Sequence, residues 1–470
     1  MSEELNFKSA TELIEGIKIK DFSIKEVMQA HIKQINKMNP KINAIVSLEE
    51  DKALKKAIEM DNNIKNRPSK QSLLGIPIAI KDTHNAKGFM TTYGSEIYRD
   101  NRSEESEIAV ERMVDEGAII LGKTNVPEFA AGSHSFNKVF GTTYNPYDTS
   151  KTAGGSSGGA AASLASGMVA LADGSDMGGS CRNPAAYNNI VGLRPSPGLI
   201  PVKNKRASFS PLSVQGPLAR TVEDVALMLS VMAGYDKRAP LSNALKVKQS
   251  FDLTKSLPLK DIKIGYSADL GGMVPIEQKV RTIFNQQISK FEDLGCFVEE
   301  ASINLTGAAE TFQILRAHEF SIGYEDIYLS HQSKIKETVL WNIEKGLNLT
   351  SKDIRNAEIQ RTNIYNEANN FFKDYDFMIS PVSQVQPFDA KIEYPTEIDG
   401  IKMETYVDWM ESCSIITVTG CPAISVPAGF TEDGLPFGLQ IIAPLNQEEA
   451  LLNIAYAFEQ ATKYGLVRPK

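Results

Sequence analysis

Two serines and one lysine hold the chemistry that stands out in this chain of 470 residues. Ser180 lies in Gly174-Ser175-Asp176-Met177-Gly178-Gly179-Ser180-Cys181-Arg182-Asn183-Pro184-Ala185, and Ser156 in Gly154-Gly155-Ser156-Ser157-Gly158-Gly159. Lys81 closes the apolar run Gly75-Ile76-Pro77-Ile78-Ala79-Ile80-Lys81-Asp82. Glycines just before a serine let the backbone approach a substrate and leave N–H groups free to face a developing oxyanion. A lysine at the end of a buried strand is desolvated, which favours the neutral amine and makes it a base. A hydroxyl, a base and free amides converging on one carbonyl are the requirements of acyl transfer.

Each segment also has a plainer reading. Ser180 is equally well the small polar residue of a tight loop, taken by its segment alone. The Gly154–Gly159 run has the composition of a flexible linker. The helix-forming stretch Ala160–Ala165 that follows opposes this. A glycine-rich turn feeding a helix also builds phosphate loops, yet both GxGxxG and the GKS/GKT ending are missing, so nucleotide binding stays a minor alternative. Asp82 would hold the proton on Lys81 if it faced the amine, so it is expected to point elsewhere. His84 and His134 sit in what read as polar loops, and neither has a setting comparable to that of Lys81, the favoured base over a Ser-His-Asp arrangement. Cys181, directly after Ser180, is expected to face away and pack.

These residues need elements to position them. Residues 1–65 read as helical, with capping-box spacing at Ser9/Glu12 and Ser23/Glu26 and a helical apolar period that ends before Pro40. Short apolar runs then alternate with amphipathic ones. Strands are expected at 76–80, 118–121, 262–266, 377–380, 423–426 and 437–442, and helices at 104–116, 221–234, 275–294, 351–374 and 446–462. Strands apolar throughout imply a sheet covered on both faces. Loops are expected at 195–201 and 237–260. Segment 305–375, mostly helical and rich in aromatics, is placed to cap a pocket, although each aromatic taken singly reads more simply as core.

Composition narrows the class. A 42% hydrophobic and 23% charged chain is that of a soluble globular protein. The formal charge of −8 argues against a broad phosphate-binding surface. No apolar run approaches a membrane span, and the acidic N-terminus does not read as a signal peptide. The four cysteines form no CxxC pair, which fits a reduced, cytoplasmic setting. The five histidines lie apart, so no metal is expected. The N-terminal helices leave room for a homodimer.

Taken together, the three segments closely resemble the amidase signature family of serine hydrolases: a strand ending in Lys-Asp, a GGSSGG turn and a GSDxGGSxRxPA loop, all in order. The likeness runs on through Leu193-Arg194-Pro195-Ser196-Pro197-Gly198, through Thr419-Gly420-Cys421-Pro422-Ala423-Ile424-Ser425-Val426-Pro427-Ala428-Gly429, and through Gly438-Leu439-Gln440. It covers most of residues 60–460 and is weakest over 237–410. It implies one α/β/α domain over 1–470 around a mixed, mostly parallel sheet of about eleven strands. Within it lie an N-terminal helical segment (1–65), a signature core (66–236) and a helical insertion (305–375) over the pocket. It further implies cleavage of a carboxylic amide C–N bond through a covalent acyl-Ser180, with Ser156 as the middle serine after a cis peptide bond and Lys81 as the base. The amides of Met177, Gly178, Gly179 and Ser180 would form the oxyanion hole. Ser157, Ser175, Asp176 and Arg182 would hold the loops. The one local departure is Cys181, where an apolar residue is commoner.

No cofactor is implied. The partner would be a small-molecule amide, not nucleic acid or membrane. The runner-up is a protein resembling the A-type component of glutamyl-tRNA amidotransferase, releasing ammonia from glutamine within a complex. A non-catalytic binding module on the same scaffold is the remaining reading. The pocket is expected to be built from the insertion and from loops near Tyr406, Trp409 and Cys413.

Overall fold

Runs of four to eight residues, most of them apolar, become the strands of one sheet, seen in a computed structural model that describes residues 5–64, 71–203, 206–242, 253 and 259–470. In chain order the strands are β1 (Ile45–Leu48), β2 (Pro77–Lys81), β3 (Ile119–Thr124), β4 (Leu171–Asp176), β5 (Val191–Arg194) and β6 (Val214–Ala219). They continue as β7 (Lys263–Tyr266), β8 (Phe297–Glu300), β9 (Phe377–Pro381), β10 (Ala423–Phe430) and β11 (Pro436–Ile442). Across the 11-stranded sheet the order is β1-β3-β2-β4-β6-β5-β10-β11-β9-β7-β8. Every residue of β2, β5, β6, β9 and β11 is buried, so helices cover both faces where those strands lie.

The expectation of a mostly parallel sheet is corrected. Only β2–β3, β2–β4, β7–β9 and β7–β8 pair in parallel, while the other six neighbouring pairs are antiparallel. Burial on both faces makes a strand apolar throughout whichever way it runs, so the apolar runs hold no information about direction. The short Thr431–Leu435 turn between β10 and β11 makes that pair an antiparallel hairpin.

Both N-terminal capping boxes are present, at Ser9/Glu12 for α1 (Ala10–Ile19) and Ser23/Glu26 for α2 (Ile24–Ile42). The second helix runs through Pro40, not ending before it, because a proline in the last turn removes only one intrahelical donor. The N-terminal segment is also not wholly helical: β1 pairs antiparallel with β3 at one sheet edge. Helix α3 (Glu50–Asn63) follows it, and α4 (Ile108–Asp115) is shorter than the 104–116 expected. Two short helices, α5 (Gly158–Ala165) and α6 (Arg182–Tyr187), flank β4, and α7 (Val222–Met232) and α8 (Gln278–Asp293) fall where helices are expected. Most of the loop expected at 237–260 lies outside the described residues. The 305–375 segment forms three helices, α9 (Ala308–His331), α10 (Glu337–Leu347) and α11 (Ser351–Phe371). Helices α12 (Glu411–Thr419) and α13 (Glu448–Thr462) complete the set. Among the described residues no helix is long and apolar enough to cross a membrane.

Candidate active site

Lys81 is the last residue of β2, next to β4, and its side chain is wholly buried. Its Nζ lies 2.7 Å from Ser156 Oγ, 2.8 Å from Ser157 Oγ and 3.0 Å from Ser175 Oγ. No carboxylate stands within ion-pair distance of it among the described residues. Burial pushes the amine down to about 8, against the opposing fields of Cys181, Asp173 and Asp176. A neutral amine has two donors and one lone pair, so the three hydroxyls match an arrangement in which one of them donates to Nζ. Asp82 does point elsewhere: it accepts from the Thr92 amide at 3.1 Å and lies 3.8 Å from the buried Lys123.

The Gly154–Gly159 run is the buried turn entering α5, and not a linker. The Gly155–Ser156 peptide bond is cis. Ser157 occupies the N-cap position yet makes no side-chain cap, because its hydroxyl goes to Lys81 instead. Gly159 lets the turn press on its neighbour: a Cβ there would lie 2.3 Å from the Asn125 nitrogen.

Ser180 follows the C-terminal end of β4. Its carbonyl accepts from the Ser157 amide at 3.3 Å, which joins the two glycine-serine loops, and Ser180 lines the same cavity as Ser156 and Ser175. Among the described residues the amides of Met177, Gly178 and Ser180 have no acceptor, whereas Gly179 N–H donates to Asp176 Oδ1 at 2.9 Å. Gly179 has φ of 111°, and a Cβ there would lie 2.6 Å from Cys413 Cβ. Only glycine fits that conformation without strain.

Asp176 and Arg182 hold the loop from behind. Arg182 begins α6 and donates from Nε and Nη2 to the Asp176 carboxylate at 3.0 and 2.9 Å. It also reaches Gln440 Oε1 on β11 at 2.5 Å and Thr417 Oγ1 on α12 at 3.1 Å. Burial alone would push Asp176 up. Arg182, and Arg194 at 3.6 Å, more than reverse this and keep it ionised.

Cys181 is buried, and burial pushes its thiol far above the ordinary range, as suits a packing residue. His84 and His134 are buried, contrary to the polar-loop reading. His84 Nδ1 meets Asp173 Oδ2 at 2.6 Å, and the other oxygen of Asp173 accepts the Lys81 amide at 2.6 Å. His134 is held by Thr152 and the Ala390 carbonyl. Neither histidine bonds to Ser156 or Ser180. Their neighbours in sequence are polar, but the buried groups that Asp173 and Ala390 offer them come from distant parts of the chain. Lys123, by contrast, is open to the reasoning applied to Lys81, since it too lies near the C-terminal end of a buried strand, β3. It is buried, donates to the His84 carbonyl at 2.6 Å, and burial pushes it down to about 8.

The cavity in front of Ser180 measures about 1270 Å³. The insertion does wall it, through Arg316, Phe320, Tyr324 and Ile327 of α9. The other wall corrects the expectation: it comes from residues 83–107, from Val202, Lys203, Arg206 and Ala207, and from residues 213–215, while Tyr406, Trp409 and Cys413 are buried behind it. Glu104–Glu107 line this cavity ahead of α4, which begins at Ile108.

A glycine-backed serine loop beside a buried lysine whose proton is loosened by desolvation, on a large mixed sheet, suits acyl-transfer chemistry. A sequence model of the amidase family matches residues 26–452, and the chain belongs to that family. It is 31% identical to an acylamidase of Rhodococcus erythropolis, over 99% of this chain and 98% of that protein. It is 34% identical to the A-type component of the glutamyl-tRNA(Gln) amidotransferase of Caldanaerobacter subterraneus subsp. tengcongensis, over 98% of each. The fold superposes on a bacterial aryl acylamidase of the amidase signature enzymes with a TM-score of 0.91, 29% identity and 98% coverage of both chains. The chain is an amide-hydrolysing enzyme.

Proposed function

We propose that the chain, working as a single amidase domain, hydrolyses a small-molecule carboxylic amide through a covalent acyl-Ser180. The observation that carries this is the Lys81 amine, desolvated and set among serine hydroxyls behind the glycine-backed Ser180 loop. Neutral Lys81 takes a proton from Ser156 Oγ, which takes one from Ser180 Oγ as that oxygen bonds to the carbonyl carbon. Contacts of this kind commonly tighten only when substrate is bound. The oxyanion is met by amides of the 177–180 loop. Those of Met177, Gly178 and Ser180 are the uncommitted ones, and Gly179 N–H is shared with Asp176. The C–N bond then breaks, and the proton returns through Ser156 to the leaving nitrogen. Water attacks the acyl carbon, Ser180 leaves with its proton restored, and the acid departs. Ser157 and Ser175 orient the Lys81 amine, and Asp176 with Arg182 fixes the loop.

A cytoplasmic setting fits the four free, buried cysteines. The likeness to an amidotransferase component favours a second reading, a glutaminase working in a complex; the close superposition on an aryl acylamidase favours a stand-alone enzyme. Glutaminase activity and a co-purifying partner would select the former.

Ser180→Ala tests the nucleophile: turnover and labelling by a fluorophosphonate probe are both expected to vanish. Retention of either would refute the assignment.

A further inference from the structure

Arg316 is a guanidinium only 4% exposed, in the wall of the catalytic cavity. Buried charges are ordinarily paired, because desolvation of an unpaired ion costs several kcal/mol. Among the described residues no carboxylate lies within ion-pair distance of Arg316. Its partners are neutral: Nη1 lies 3.2 Å from Met177 Sδ, Nη2 donates to Tyr406 Oη at 2.8 Å, and Nε has no partner. Its guanidinium carbon lies over the Phe320 ring, 4.5 Å from the centroid. The nearby acids are otherwise engaged. Glu319 on the same helix accepts from Ser210 Oγ, and Glu393 pairs with Lys336 at 3.0 Å. The cation therefore sits without a counter-ion against the side chain of Met177, whose backbone belongs to the loop in front of the nucleophile. Phe320 and Tyr324 follow it at one-turn spacing and give the same wall an apolar aromatic face.

We propose that Arg316 anchors a carboxylate carried by the amide substrate, so that the preferred substrates are acidic amides. This rests on the acyl-Ser180 reading, since it is the nearness of Arg316 to that loop that makes the cation a specificity element. An arginine fork matches a carboxylate in two parallel hydrogen bonds, which the sulfur and phenol contacts do not replace.

The test compares kcat/KM for pairs of amides that differ only by a carboxylate in place of a methyl group. Monoamides of dicarboxylic acids against aliphatic primary amides place the charge on the acyl side; N-acyl amino acids against N-acyl alkylamines place it on the amine side. At least one pair is expected to show a preference of about tenfold or more for the carboxylate, expressed mainly in KM. Arg316→Gln is expected to lower the carboxylate member about tenfold more than its partner, and Arg316→Lys to keep part of the preference. Absence of preference in both pairs, or an equal loss for both members in Arg316→Gln, would overturn the proposal. If no amide is turned over, the hydrolase reading fails separately. Calorimetric titration of the Ser180→Ala protein with the dicarboxylic and N-acyl amino acids, with and without Arg316→Gln, still decides the anchor: binding lost with the arginine supports it, and no binding or unchanged binding refutes it.

Discussion

At the scale of single residues, one lysine sets how this site responds to pH. Burial brings Lys81 down to about 8, so below that value most molecules hold the protonated amine, which cannot accept a proton from Ser156. The sign follows: kcat/KM is expected to rise by about tenfold per pH unit towards pH 8 and then level off. Lys81→Arg separates charge from basicity, because a guanidinium keeps the positive charge but does not give up its proton. That variant is expected to lose about 10²-fold or more in kcat while still folding. A flat profile between pH 6.5 and 9, or near-normal turnover by Lys81→Arg, would remove Lys81 from the mechanism. His84 makes an instructive contrast. It has the partner carboxylate that a Ser-His-Asp triad would need, but it makes no bond to either loop serine.

Elements explain why these residues meet, and where the sequence speaks clearly. Glycine runs and a strand-ending lysine are local signals, so Lys81, Ser156 and Ser180 are legible from short windows. The β4-to-α6 loop needs more: Asp176 takes Gly179 and Arg182 from its own loop, while Arg182 reaches β11 and α12 more than 230 residues away. Arg316, Asp173 and the 83–107 wall are of that long-range kind, and no spacing rule exposes them. Strand direction is illegible for a different reason, since it depends on connections and not on side chains. Two substitutions test the loop. In Gly179→Ala the added methyl meets Cys413 on a backbone at positive φ, so a stability loss of about 1–3 kcal/mol is expected. Displacement of the neighbouring amides is expected to lower kcat by about 10²-fold or more. Asp176→Asn strands two buried guanidiniums, Arg182 and Arg194, and is expected to cost about 3–5 kcal/mol, read as a lower denaturant midpoint at unchanged m. A Gly179→Ala enzyme with normal kcat, or an Asp176→Asn protein of normal stability, would show that the loop is held by something else.

For the molecule as a whole, the same burial that tunes the site limits its tolerance of acid. His31 and His134 lie in different parts of the fold, and burial pushes each down to about 4. Unfolding returns them to an ordinary histidine value near 6.5, so between about pH 6.5 and 4 the unfolded chain binds more protons than the native one. Stability is therefore fully present above that window and is lost as pH falls through it. Each histidine contributes on the order of a few kcal/mol to the loss. His31 is the cleaner probe, because its Nδ1 meets only the Val27 carbonyl of its own helix and its Nε2 has no partner, so replacing it breaks no tertiary hydrogen bond. Denaturation of the wild type is expected to shift to lower urea as pH falls from 7 to 5, and His31→Leu to shift distinctly less. Equal shifts in the two proteins would mean that groups other than His31 govern the acid limb; Glu459 is not among them, because a carboxyl raised to about 8 by burial gains stability as pH falls. The measured slope thus reports which buried group dominates, and the expectation here is the histidines.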